Sequence, residues 1–169
     1  AKMALGLKPF GIEAVAEMNR LGMLIDVSHL SDGGFWDVVK HSEKPFVASH
    51  SCCRALCGHT RNLTDEMLKA LGEKGGCVGI NFASQFLNEN AHYTDIDSVM
   101  RHMVHIRDKA GIDALGWGSD FDGISSELEF KDYAGMPLLV EALGKYFTPA
   151  EIDKICNGNM LRVIRETLK

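Results

Sequence analysis

Met23-Leu24-Ile25-Asp26-Val27-Ser28-His29 is a short apolar run that ends in a side chain able to bind a metal or carry a proton. Three further runs repeat that plan: Phe46-Val47-Ala48-Ser49-His50, Cys77-Val78-Gly79-Ile80-Asn81-Phe82 and Ala114-Leu115-Gly116-Trp117-Gly118-Ser119-Asp120. Apolar side chains at most positions, rather than at alternate ones, suit a parallel strand covered on both faces. The runs therefore predict four buried parallel strands with His29, His50, Asn81 and Asp120 at their ends.

Between the runs the pattern turns helical. Residues 11–21 place Ile12, Val15, Ala16 and Met18 on one face, and Gly22 stops that helix. Ser31 or Asp32 is a plausible N-cap for a helix reaching residue 41. A helix over 64–74 is closed by Gly75-Gly76, and a long insertion then reaches Tyr93. Thr94 is expected to cap an amphipathic helix to residue 110, with Val99, Met103 and Ile106 on one face and Gly111 as its stop. After a loop rich in Gly and acids come a helix near 137–146 and two more helices. Thr148-Pro149-Ala150-Glu151 reads as a capping box with Pro at the first helical position. Strands alternating with helices imply parallel pairing through right-handed crossovers. With no linker and no internal repeat, residues 1–169 read as a single unit.

The length of 169 residues allows one core burying roughly 70% of the extended-chain surface. It falls short of a complete (β/α)8 barrel, which takes about 250 residues. With 46% apolar and 24% charged residues, disorder, collagen and coiled coil are excluded. The balance of 18 Lys and Arg against 23 Asp and Glu, with no basic stripe, argues against a nucleic-acid partner. No apolar window approaches the ~18 residues of a membrane span, so no membrane partner is expected. Five cysteines without a CxxC pair predict free thiols in a reducing compartment. Cys52, Cys53 and Cys57 lie near His50, but no second cluster completes a thiolate site, so they read as buried thiols.

In parallel α/β folds, ligand and catalytic groups gather at the carboxyl ends of the strands. One strand-end His is ordinarily a structural residue; His29 and His50 on consecutive runs, with Asp120 on a later one, favour a site. Two neutral imidazoles with carboxylates suit Zn²⁺, with Mn²⁺, Fe²⁺ or Co²⁺ as competitors. The set suggests metal-assisted hydrolysis. If Gly118-Ser119-Asp120-Phe121-Asp122-Gly123 is extended, Asp120 and Asp122 point the same way. A carboxylate beside a metal stays ionised and can take a proton from water; for Asp122-Gly123 a plain structural turn is an equal reading. Arg61, eleven residues after His50, could pair bidentately with a substrate carboxylate. His102 and His105 read as exposed or helix-packing residues without a carboxylate or Cys beside them, and His41, His59 and His92 as bland.

These segments, with Gly6 to Gly11, Met18 to Met23, Asp26 to Ser31, Ser49-His50-Ser51, Arg61 to Asp65, Gly79 to Phe82, Ala110 to Asp113, Gly118 to Gly123 and Gly158 to Val163, run over nearly the whole chain. As a set they resemble the zinc-dependent membrane dipeptidases, also called renal or microsomal dipeptidases. The resemblance implies a barrel hydrolase that cleaves dipeptides with two Zn²⁺ per complete site. It implies His29 and His50 as zinc ligands, Asp120 as the proton-transfer residue and Arg61 as the group that binds the substrate carboxylate. Paired metals activate water and polarise the scissile carbonyl. The family's first ligands, a His-x-Asp pair, and its bridging Glu have no counterpart here, and Ala83 stands where members often carry Tyr.

The fold expected on that resemblance is α/β: the C-terminal half, (βα)5 to (βα)8, of a TIM-type barrel with extra C-terminal helices. The partners expected are a dipeptide, the N-terminal half of the same barrel and, as a possibility, a second copy. The isolated chain is expected to be inactive, and the location to be cytoplasmic, with a signal or anchor elsewhere left open. Two alternatives stand beside this: a noncatalytic half-barrel or flavodoxin-like binding module, and another metal-dependent amidohydrolase.

Overall fold

In a computed structural model that describes residues 2–89 and 92–168, the chain winds in repeated helix–strand crossovers. Helix α1 (Pro9–Leu21) opens with Pro in its first turn and closes at Gly22, whose φ of 73° is the left-handed conformation that glycine adopts without strain. The run that follows is the least regular of the four predicted strands. Asp26 makes a single parallel bridge to Val47, flanked by Val27 N–H donating to the Val47 carbonyl and Val47 N–H donating to that of Ile25. The Asp26 carboxylate then captures the Ser28 amide at 3.0 Å, an Asx turn that bends the chain out of the extended path.

Helix α2 (Asp32–His41) is capped by Ser31, whose hydroxyl accepts from the Gly34 amide. Strand β1 (Val47–Ser51) leads through a loop to α3 (Asp65–Glu73), capped by Thr64. Strand β2 (Cys77–Asn81) is buried at all five positions. The insertion holds a single turn, α4 (Ser84–Leu87), and a short strand, β3 (Tyr93–Thr94); residues 90 and 91 within it lie outside the described residues. Helix α5 (Ile96–Ala110) is capped by Asp95, not Thr94. The Asp95 carboxylate accepts the Ser98 amide at 2.6 Å, while the Thr94 hydroxyl is drawn away to the Phe82 carbonyl.

Strand β4 (Leu115–Ser119) is followed by β5 (Glu127–Leu128), which pairs with β3 in a small parallel sheet, and by α6 (Met136–Leu143). The expected capping box is formed at the start of α7 (Pro149–Asp153). The two predicted terminal helices are joined by a π-helical turn, Lys154–Gly158, into α8 (Asn159–Thr167).

The main sheet orders β1, β2 and β4 side by side, all parallel, with the Asp26 bridge beyond β1. Three regular strands and one bridge thus stand where four strands are predicted. Glycine is required where these strands crowd: a Cβ on Gly79 or Gly118 would lie 2.2 or 2.1 Å from the Ser49 carbonyl oxygen. The helices pack Val38, Leu68, Leu71, Val99, Met103 and Leu143 onto the sheet in one continuous core.

Candidate metal centre

The bridge at Asp26 brings the first and second runs into register, so that the residues after each Ser carry their rings to the same place. His29 Nε2 and His50 Nε2 stand 2.9 Å apart, with ring centroids 5.0 Å apart and tilted by 57°. Imidazole nitrogens bound at 2.0–2.1 Å to one tetrahedral zinc stand about 3.3 Å apart. The observed pair needs to open by only a few tenths of an ångström, and the donor chemistry suits zinc. Among the described residues no group of three or more His, Cys, Asp or Glu converges as a metal site. These two nitrogens alone fill only half of a tetrahedral site.

Burial, reinforced by the positive charge of Arg61, holds His29 below the usual imidazole range, which favours the neutral form a metal needs. Asp26 is tied to the two serines that precede these histidines. Its carboxylate accepts from the Ser28 amide and hydroxyl and from the Ser49 amide and hydroxyl. Burial pushes the Asp26 carboxyl up, but those hydrogen bonds outweigh it and the net shift is downward.

Arg61 hangs from the loop after β1. Its Nε donates to the Ser28 carbonyl at 2.7 Å, its guanidinium lies 5.5 Å from the centre of the Phe86 ring, and its buried Nη2 has no partner. Partial burial weakens its hold on its proton, opposed by Asp120 and Asp26, yet a guanidinium remains charged in proteins. A buried cationic donor without a partner, two bonds from an anchored Nε, is suited to receive an anionic oxygen.

Asp120 is fixed by the backbone. Ser119 and Asp120 adopt φ of 50° and 69°, a left-handed pair of non-glycine residues that ends β4 abruptly. The segment is thus not extended: Phe121–Gly123 forms a 3-10 turn, Asp122 is exposed on it, and the two carboxylates are not presented as an alternating pair. Asp120 Oδ2 accepts from Asn81 Nδ2 at 3.0 Å, joining the third and fourth runs at their ends. The Asp120 charge is near enough to act on both His29 and Arg61.

Several supporting residues escape a sequence-only reading. Arg54 donates to both oxygens of Asp32 at 2.7 and 2.8 Å and also to the carbonyls of Thr60 and Asn62, which flank Arg61. His59 Nδ1 accepts from the Arg61 amide at 3.1 Å. The only signal for Asp26 is the Ser-His doublet recurring in consecutive runs.

The two helix histidines lie away from this centre. His102 is buried, accepting from the Cys53 amide at Nδ1 and standing 3.0 Å from the Leu87 carbonyl at Nε2. His105 does have a carboxylate beside it, Asp65 at 2.7 Å, shared with Lys109. Cys52, Cys53 and Cys57 are buried free thiols, and burial pushes all three above the usual range.

Comparison with known proteins finds similar sequences and similar structures over nearly the whole chain. A protein from the pqqA 5′ region of Klebsiella pneumoniae, itself uncharacterized, is 39% identical over 164 residues, covering 95% of this chain and 60% of its own. Dipeptidase tcpJ of Claviceps purpurea is 36% identical over 163 residues, 95% of this chain and 38% of its own. A Rhodobacter sphaeroides metallo peptidase, solved with a phosphinate mimic of the dipeptide L-Ala-D-Ala, superposes with a TM-score of 0.91 at 38% identity. That match covers 96% of this chain and 47% of that one. The probable dipeptidase PvdM of Pseudomonas aeruginosa gives 0.88 at 25% identity, covering 96% and 55%. The chain therefore spans between 38% and 60% of the lengths of these relatives. The sequence profile of the membrane dipeptidases, peptidase family M19, matches residues 2–169, and the chain belongs to that family.

Proposed function

We propose that this chain supplies the second half, (βα)5 to (βα)8, of the TIM-type barrel of a zinc-dependent dipeptidase, and with it part of one active site. The observation that carries the reading is the convergence of His29 and His50 Nε2 at 2.9 Å with no third ligand among the described residues. In this reading His29 and His50 hold a zinc ion, and the remaining ligands and a bridging carboxylate come from the N-terminal half of the barrel. A main sheet left open at β4 and at the Asp26 bridge supports such pairing, since unpaired edges favour a partner. The bound metals supply a water acidic enough to react at neutral pH and a Lewis acid for the scissile carbonyl.

The chain's own residues do the rest. Arg61 receives the free carboxylate of the dipeptide and so places the peptide bond relative to the histidines. Asp120, held by Asn81, takes a proton from the attacking water and delivers it to the departing amine. The Arg61 assignment favours the dipeptidase over an amidohydrolase whose substrate lacks a carboxylate. The cysteines are free thiols, which supports a reducing, cytoplasmic location; no helix among the described residues is long and apolar enough to cross a membrane.

The test joins this chain to the N-terminal half of a full-length family barrel and measures release of alanine from L-Ala-D-Ala or L-Ala-L-Ala with Zn²⁺. Turnover is expected from the joined protein, with loss in His50→Ala and Asp120→Asn and a raised KM in Arg61→Ala. The chain alone is expected to release nothing. Turnover by the chain alone refutes the shared site, and a folded, zinc-loaded joined protein without turnover refutes the activity.

A further inference from the structure

Asp26 touches neither ring, yet the amides and hydroxyls of Ser28 and Ser49, the residues that precede the two histidines, all lead to it. Oδ1 lies 3.0 Å from the Ser28 amide, 2.8 Å from the Ser28 hydroxyl and 3.0 Å from the Ser49 amide, and Oδ2 lies 2.5 Å from the Ser49 hydroxyl. Ser49 Oγ is in turn 2.7 Å from His50 Nδ1, and Ser28 Oγ accepts from the His50 amide at 3.0 Å. We infer that Asp26 is a positioning residue that, through Ser49, sets the tautomer of His50 so that its Nε2 lone pair is free for a metal.

The inference follows from counting hydrogens. An ionised carboxylate can only accept, and a hydroxyl has one hydrogen to give. Ser49 spends its hydrogen on Asp26, so toward His50 it can only accept. The ring hydrogen of His50 therefore sits on Nδ1, and Nε2 is bare. The 2.9 Å contact between the two rings then has a single polarity: His29 Nε2–H donates to His50 Nε2. A metal entering between them finds one ligand ready, and only His29 has to move its hydrogen to its other nitrogen. Partners of this kind fix ring orientation and basicity of metal-binding histidines, and their loss costs 10–100-fold in affinity. The second Ser of the network, Ser28, holds the backbone of His50 to the same carboxylate, so one anion also fixes the spacing of the two rings.

The inference rests on the reading of His29 and His50 as metal ligands, and the experiment separates the two. The ¹⁵N-labelled 169-residue chain, free of metal at pH 7.5, is examined by long-range ¹H–¹⁵N correlation of its imidazoles and then titrated with Zn²⁺. The expected result is His50 protonated at Nδ1 in the natural chain. In Asp26→Asn, where Ser49 is released to donate, the population shifts to Nε2–H and zinc affinity falls roughly 10–100-fold. Ser49→Ala, read in the same way, serves where Asp26→Asn fails to fold by far-UV circular dichroism. A natural chain with the hydrogen on Nε2, or folded variants that keep both tautomer and affinity, overturns the positioning role. If Zn²⁺ fails to move the His29 and His50 resonances of the natural chain, the metal reading falls, while the tautomer spectra still decide for or against Asp26.

Discussion

His102 offers a measurable link between acid stability and the loop that presents Arg61. It is 1% exposed, and both ring nitrogens are engaged by backbone: Nδ1 accepts from the Cys53 amide, the first turn of that loop, and Nε2–H donates to the Leu87 carbonyl. Protonation would place a second N–H against the Cys53 N–H, and burial opposes the charge besides. Burial is the largest cause of a folded value of about 4, against an ordinary 6.5. The sign follows from proton counting. Below 6.5 the unfolded chain takes up a proton that the folded chain refuses, so stability is full above that value and is lost as pH falls toward 4. Linkage between 6.5 and about 4 gives about 2 kcal/mol lost by pH 5 and about 3 kcal/mol by pH 4. The assay is urea denaturation of the natural chain and of His102→Gln at pH 7.5, 6, 5 and 4. Gln cannot titrate, so the variant should be the less stable protein at pH 7.5, and the gap should close by about 2 kcal/mol at pH 5. A gap constant across this range to within about 0.5 kcal/mol would show that His102 is protonated in the folded chain, and the reasoning would fail.

Two further outcomes follow from packing and from the Arg61 loop. Gly79→Ala forces a Cβ to 2.2 Å from the Ser49 carbonyl oxygen and 2.8 Å from the Gly118 Cα, and should cost about 3 kcal/mol in urea denaturation. A loss under about 1 kcal/mol would mean that the strand ends are not so tightly apposed. Arg54→Met removes the donors to Asp32 and to the Thr60 and Asn62 carbonyls. It should cost about 2 kcal/mol and speed hydrogen exchange at the Arg61 and Asn62 amides; unaltered exchange would dismiss the clamp.

Much of the fold was legible because the local signals agreed. The apolar runs 77–82 and 114–120 contain β2 and β4, the run 46–50 covers all of β1 but its last residue, and the caps at Ser31 and Thr148 form as their residue types dictate. The misses have physical causes. The run at 23–29 carries an Asp whose carboxylate competes for the backbone amide of Ser28, so only one bridge survives. Thr94 and Asp95 are both good caps, and the choice went to Asp95 because the Thr94 hydroxyl is already given to the Phe82 carbonyl. Of the two readings of Asp120 to Gly123, the turn won over the extended one because Ser119 and Asp120 take positive φ, which residue type does not announce.

For the candidate site, the sequence alone determined the chemistry available: two histidines, an aspartate and an arginine at or just beyond the ends of successive apolar runs, in a chain belonging to the membrane dipeptidase family. Residue types and spacing encode which groups can reach a common face, because parallel strands end on the same side. Only the tertiary structure decided that the two Nε2 atoms meet, that Arg61 keeps an unpaired buried donor, and that Asp26, His59 and Arg54 stand behind them. Those facts depend on side chains from segments 20 or more residues apart sharing hydrogens, or on a loop folding back upon itself. Such sharing is settled by packing and proton counting in three dimensions, not by the local preferences that a sequence displays.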